Sequence, residues 1–292
     1  MSPLLALALL GALAAASCPP DGPITVDTHA VGCADLRLTV AADNVTLVIE
    51  GATGSISVTS NAAGTTLRLL DSAVAGDLML SGPHALADIQ RSTVIGDNVV
   101  ALSSERYATI AVVDSTLTGA VVASVVLASG AVRQVSIEIV NSTLIATQYA
   151  ASVVGATIQD VAVAVATSRL ALTGSDHVGV VALAAATVTN AAVKVTDSSI
   201  TSTARNAVAI LGTGRYSSAV SWTNVTVSAA LTNVTSTAGD AVGILGAGSN
   251  SPVTWTNVTV SAALANVTST AGNFVGVLGA GSNSPVTWTN VT

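Results

Sequence analysis

Val253 and Trp255, and then, one position out of step, Val258 and Val260, alternate with threonines and other polar residues. A period of two is that of a half-buried strand, and Val and Thr, branched at Cβ, pack well on a pleated surface. The phase slips at Asn257, which predicts a bend there. Gly243, Gly246, Gly248 and the run Ser249-Asn250-Ser251-Pro252 predict turns. The same pattern fills Trp222 to Thr254, returns nearly unchanged from Trp255 to Thr287, and starts again in the closing WTNVT, a period of 33 residues. Paired-helix repeats have similar periods, but they need charged, straight-chain residues on their outer faces. Asp240 is the only charged residue from Trp222 to Thr292. Strands separated by turns and repeated in register predict an all-β solenoid of parallel strands.

A short motif carries the repeat back through the less regular middle of the chain. It is a polar residue, a small or hydroxylated pair, then an aliphatic residue: Asp71-Ser72-Ala73-Val74, Arg91-Ser92-Thr93-Val94, Asp114-Ser115-Thr116-Leu117, Asn141-Ser142-Thr143-Leu144, Thr167-Ser168-Arg169-Leu170 and Asp197-Ser198-Ser199-Ile200. Continued into Asn224, Asn257 and Asn290, its spacings run 20, 23, 27, 26, 30, 27, 33 and 33. A constant motif at variable spacing is what fixed strands with variable loops produce. A second aliphatic column, Val153-Val154, Val180-Val181, Ile210-Leu211, Ile244-Leu245 and Val277-Leu278, predicts an opposing strand that faces the same interior.

The pattern resembles a right-handed parallel β-helix of the pectin-lyase-like kind, and the repeats rich in Val, Thr, Ala and Asn-x-Thr are similar to the surface proteins of flagellate protists. The resemblance covers Ile24 to Thr292. It implies about nine to eleven rungs, stacked at about 4.8 Å into a rod on the order of 50 Å long.

The first seventeen residues lie outside this pattern. Leu4 to Ala16 is a short apolar run ending in small residues, which predicts a cleaved secretory leader over 1–17. An uncleaved anchor, or a lipid on Cys18, are the alternatives. Residues 18–292 then form one β-helix domain, with 18–40 as an N-terminal cap and 222–292 as the near-identical repeats. Cys18 and Cys33, the only cysteines, predict one disulfide across the first rung in an exported chain. The 33-residue repeat breaks off at Thr292, so the expected remainder is a missing cap or anchor, with end-to-end self-association at an uncovered edge.

Composition narrows the function classes. Half the residues are hydrophobic but 2% are aromatic, so the core is expected to be aliphatic and thin. A net charge of −7 with nine scattered basic residues argues against nucleic acid and against an anionic membrane surface. Polysaccharide lyases and hydrolases on this kind of fold need acids clustered on adjacent rungs. The best candidate is Gly76-Asp77 over Gly96-Asp97; the column then stops at Gly119-Ala120, so a repeated turn is the expected reading. Asp176-His177 lacks a nucleophile motif, and Glu105-Arg106-Tyr107 is expected as a loop with a local ion pair. No catalytic, cofactor or metal residue is assigned. Trp222, Trp255 and Trp288 lie in phase with inward valines and predict a core ladder rather than a sugar-stacking strip.

Seven sequons, at Asn44, Asn141, Asn224, Asn233, Asn257, Asn266 and Asn290, predict N-glycosylation. An Asn column that also holds Asp and Arg in other rungs is expected in water; a hydrogen-bonded Asn ladder inside the fold is the alternative. The leading expectation is a non-enzymatic secreted or cell-surface rod with a carbohydrate or cell-surface partner. A carbohydrate-active enzyme is the second reading. Ice binding by outward Thr254, Thr256 and Thr259 is the third.

Overall fold

A computed structural model describes residues 18–20, 22–127, 130–174, 178–203, 208–212, 220–236, 241–246, 253–269, 274–279 and 286–291. The expected leader, Asp176-His177 and the stretch from Gly248 to Pro252 lie outside these residues. Every described strand pair is parallel, each strand meeting its counterpart about one turn of chain later. The chain winds as a parallel β-helix, of the right hand that parallel crossover connections adopt.

Three parallel sheets run along the coil. Sheet I stacks Thr28–Val31, Thr46–Glu50, Thr66–Leu70, Leu86–Gln90, Arg106–Val113, Ala131–Val140 and Thr157–Ala166, then the first halves of Thr187–Ser202, Val220–Ser236 and Val253–Ser269, and finally Val286–Val291. Sheet II is short and contains Ala73–Ala75, Thr93–Ile95 and Arg169–Leu172. Sheet III includes Leu78–Ser81, Asn98–Ser103, Val178–Ala184, Val208–Gly212, Ala241–Gly246 and Phe274–Gly279. The period-two pattern places one side of each strand inside. Leu47, Leu67, Ala87, Ile110, Ile137, Val163, Val193 and Val227 are register partners in succession on sheet I, and all are buried. Burying such aliphatic side chains contributes about 1.5–3 kcal/mol each before chain entropy is subtracted.

Two polar corners let the coil turn. At the corner between sheets I and II, Gly32, Gly51, Asp71, Arg91, Asp114, Asn141, Thr167 and Asp197 all have φ between 48° and 66°. At the entry to sheet I, Asn44, Gly64, His84, Tyr107, Gln134, Asp160, Asn190, Asn224 and Asn257 take φ between 52° and 67°. This left-handed conformation suits Gly, Asn and Asp, whose backbones carry least steric penalty there. The phase slip expected at Asn257 is this bend: Trp255 before it and Val258 after it are both buried.

The two corners correct the expected motif column. Asn224 and Asn257 do not continue Asp71, Asn141 and Asp197; they follow Asp160 and Asn190 at the other corner. The first corner ends at a register irregularity, where Ser198 pairs with Leu231 and Ser199 with Asn233. Both corners need the same kind of residue, so sequence spacing alone joined them. Gly243 and Gly246 sit within the strand Ala241–Gly246 rather than in turns. In the second aliphatic column, Val181, Leu211, Leu245 and Leu278 are partners as expected, but Val181 pairs with Ala151, two residues before Val153.

Candidate functional site: the polar corners and edges

A column of serines lines the first corner from inside. Ser72, Ser92, Ser115, Ser142, Ser168 and Ser198 are buried. The hydroxyl of Ser92 donates to the Gln90 carbonyl at 2.8 Å and accepts the Ser72 N–H at 3.1 Å. Ser115, Ser142, Ser168 and Ser198 repeat this, each accepting the N–H of the serine one rung earlier at 3.1 Å. Each hydroxyl thus satisfies two backbone groups that the bend takes out of the sheet ladder. The recurring Ser after the polar residue was visible in the motif, but its role was not. Cys33 and Ala52 are buried at the corresponding positions of the first rungs, and Cys33 is bonded to Cys18 as expected, across a sequence separation of 15.

Carboxylates serve as inter-rung acceptors. Asp27 accepts Thr46 N–H at 2.7 Å, Asp35 accepts Ser55 N–H at 2.8 Å, Asp43 accepts Ala63 N–H at 2.8 Å and Asp77 accepts Asp97 N–H at 2.9 Å. Asp77 and Asp97 therefore stack, as expected of a repeated turn. A Cβ on Gly96 would overlap Asp77 Oδ1, which explains why glycine precedes the second aspartate. Among the described residues, no three His, Cys, Asp or Glu side chains group as metal ligands would.

Three pairs of charged or chargeable side chains meet across rungs. Arg68 donates to Asp88 at 3.1 Å, Arg91 grips Asp71 with two bonds of 2.6 and 2.7 Å, and His29 lies 3.1 Å from Glu50. His29, Glu50 and Arg68 border a shallow groove of about 520 Å³. The hydrogen bonds from Arg91 hold the Asp71 carboxyl below the ordinary aspartate range. A depressed carboxyl pKa adds stability above its unfolded value, and that stability is lost as pH falls through the folded value. A carboxyl-detected NMR titration is therefore expected to find Asp71 titrating below the ordinary aspartate value, and Arg91→Gln to move it back towards that value.

Six sequon asparagines, Asn44, Asn141, Asn224, Asn233, Asn257 and Asn266, are exposed. They are also laddered. Asn224 donates to Asn190, Asn257 to Asn224 and Asn266 to Asn233, each at 3.1 Å, and Asn141 donates to Asp114 at 2.6 Å. The ladder and the exposure expected as alternatives coexist, because the stack runs along the outer edge of the coil. Asn44 instead lies over Gly64, where an added Cβ would overlap its Oδ1. Asn290 follows Thr289, the partner of Thr256, on the last sheet I strand.

Trp222 and Trp255 are fully buried with ring centroids 6.2 Å apart, so the core ladder holds for this pair, and Trp288 is the register partner of Trp255. Glu105 and Arg106 form no ion pair in the described residues, and Arg106 opens the strand Arg106–Val113 rather than lying in a loop. Thr254 and Thr256 precede the bend at Asn257 and Thr259 follows it, so the three threonines do not share one flat row. Comparison with protein-family models, curated proteins and solved structures finds no match.

Proposed function

We propose that this chain is a non-enzymatic, secreted or cell-surface rod that carries N-linked glycans along its polar edges and meets a carbohydrate or cell-surface partner. One observation supports this above others: the sequon asparagines recur on the outer edges, while the nearby carboxylates and hydroxyls bind neighbouring rungs. Groups used to hold one coil to the next are poorly placed for acid and base work, which needs a carboxyl whose proton is free to move. Glycans on the edges would hydrate a surface with few charges.

The stacking also sets occupancy. Neighbouring acceptors in one ladder are about 4.8 Å apart, far less than the width of a branched glycan. Expression in a secretory eukaryotic host followed by glycopeptide mapping is expected to show Asn44 and Asn141 widely modified. Asn224 with Asn257, and Asn233 with Asn266, are expected to be modified singly rather than together. A secreted chain whose mass does not change on enzymatic deglycosylation would refute the glycan-bearing role. Depolymerisation of a polysaccharide panel by the purified chain would refute the non-enzymatic one.

A further inference from the structure

Two features of the coil meet at one place. Two arginines meet an aspartate on the neighbouring rung, Arg68 with Asp88 and Arg91 with Asp71. Arg106 and Arg133 instead face each other: they are register partners on adjacent parallel strands, both exposed, and neither forms an ion pair among the described residues. Their backbones lie about 4.8 Å apart, the spacing of neighbouring strands, so two like charges are carried at directly opposed positions, an arrangement that repels unless an anion lies between them.

The second feature is next to it. The entry corner of sheet I holds Asn, Gly, Gln or Asp at most rungs, yet His84 and Tyr107 occupy it in succession with φ of 61° and 57°. Histidine takes this conformation more readily than most residues, but a side chain as bulky as tyrosine is disfavoured in it, and such strain is worth keeping where it positions a group for binding. The two rings stack face to face, with centroids 4.5 Å apart and planes 11° from parallel. Tyr107 follows Arg106 directly in the chain and remains 45% exposed, so part of an aromatic ring is open to solvent next to that arginine.

From this juxtaposition we propose that Arg106, Arg133, Tyr107 and His84 form a binding site for a sulfated sugar. An aromatic surface offers a bed for the C–H face of a pyranose ring. A carboxylate has two oxygens, and one arginine fork satisfies both; a sulfate ester has three terminal oxygens and takes donors from more than one group. Two guanidinium groups with an imidazole nearby fit the sulfate better. This goes beyond a rod that bears glycans: it gives the rod a site that receives one, and it stands whether or not any sequon is occupied.

The test compares dextran, carboxymethyl dextran and dextran sulfate, which share one glucose backbone, by calorimetric titration of the whole chain at physiological salt. Dextran sulfate is expected to bind, carboxymethyl dextran about tenfold more weakly, and dextran not measurably; each lost charge-assisted contact corresponds to about tenfold in affinity. Arg106→Gln and Arg133→Gln are each expected to weaken dextran sulfate by about tenfold, while Arg91→Gln, whose parent side chain already grips Asp71, leaves it unchanged. Tyr107→Asn places at the bend the residue type found at Asn190 and Asn224. It is expected to keep the far-ultraviolet circular dichroism of the fold and to weaken the sulfated polymer. Equal binding of the carboxymethyl and sulfated polymers would overturn the assignment. So would unchanged affinity in the double arginine variant, or binding to duplex DNA that falls in step with dextran sulfate.

Discussion

Trp222→Ala is expected to cost about 3–5 kcal/mol and to release the coils around it before the rest of the rod melts. Trp222 is fully buried, stacked on Trp255, and continues an inward row through Val132, Ile158 and Val188. Removing the indole leaves a hole that flanking backbone cannot fill, because each strand is tied to a neighbour on both sides. A solenoid is nearly one-dimensional, so the damage spreads first to adjacent rungs. All three tryptophans belong to the C-terminal repeats, so their fluorescence reports those coils, whereas far-ultraviolet circular dichroism reports the whole. The variant is expected to lose the near-ultraviolet signal of the stacked pair and to show Trp emission changing at a lower temperature than the far-ultraviolet transition. Trp222 Nε1 has no hydrogen-bond acceptor among the described residues. Trp222→Phe removes that unsatisfied donor and keeps an aromatic ring, so it should cost much less than alanine. Equal losses in the two variants would contradict this account of the core.

The second large effect concerns a group much smaller than an indole. Ser115→Ala is expected to cost about 1–3 kcal/mol, although it removes one oxygen and almost no volume. The Ser115 hydroxyl donates to Val113 O at 2.7 Å and accepts Ser92 N–H at 3.1 Å. Alanine leaves that N–H buried without its partner, and desolvating an unsatisfied backbone donor is where the cost arises. The decisive reading is hydrogen exchange at the Ser92 amide, which should quicken in the variant far more than at the Ile110 amide on sheet I. Ala52 shows what the column tolerates near its start: it has no hydroxyl, yet its own N–H is accepted by Ser72 Oγ at 3.1 Å. Loss of stability without faster exchange at Ser92 would locate the effect elsewhere.

Much of the architecture was legible because a solenoid writes its third dimension into its period. Each strand meets its own near-copy one turn later, so the alternation around Val253, Trp255, Val258 and Val260 identified the inward side and the bend at Asn257. The disulfide was legible because Cys18 and Cys33 are the only cysteines. The separation of two corners was not. Asp, Asn and Gly satisfy any left-handed bend, so Asn141 and Asn224 looked alike though they stand at different corners. The candidate site beside Tyr107 was less legible still. Arg106 and Arg133 are 27 residues apart in the chain, a separation with no chemical meaning until the strands carrying them are paired.

By itself the sequence determined that the chain is built of strands, that those strands repeat, and which side chains face in. These follow from period and residue type, which are local properties. Only the tertiary structure decided which corner each polar residue occupies, that buried serines pass hydrogen bonds from rung to rung, and that two arginines are register partners next to a ring pair. Loop lengths vary from turn to turn, so sequence distance does not measure height along the rod. Register is settled only when backbone pairing and core packing are satisfied together.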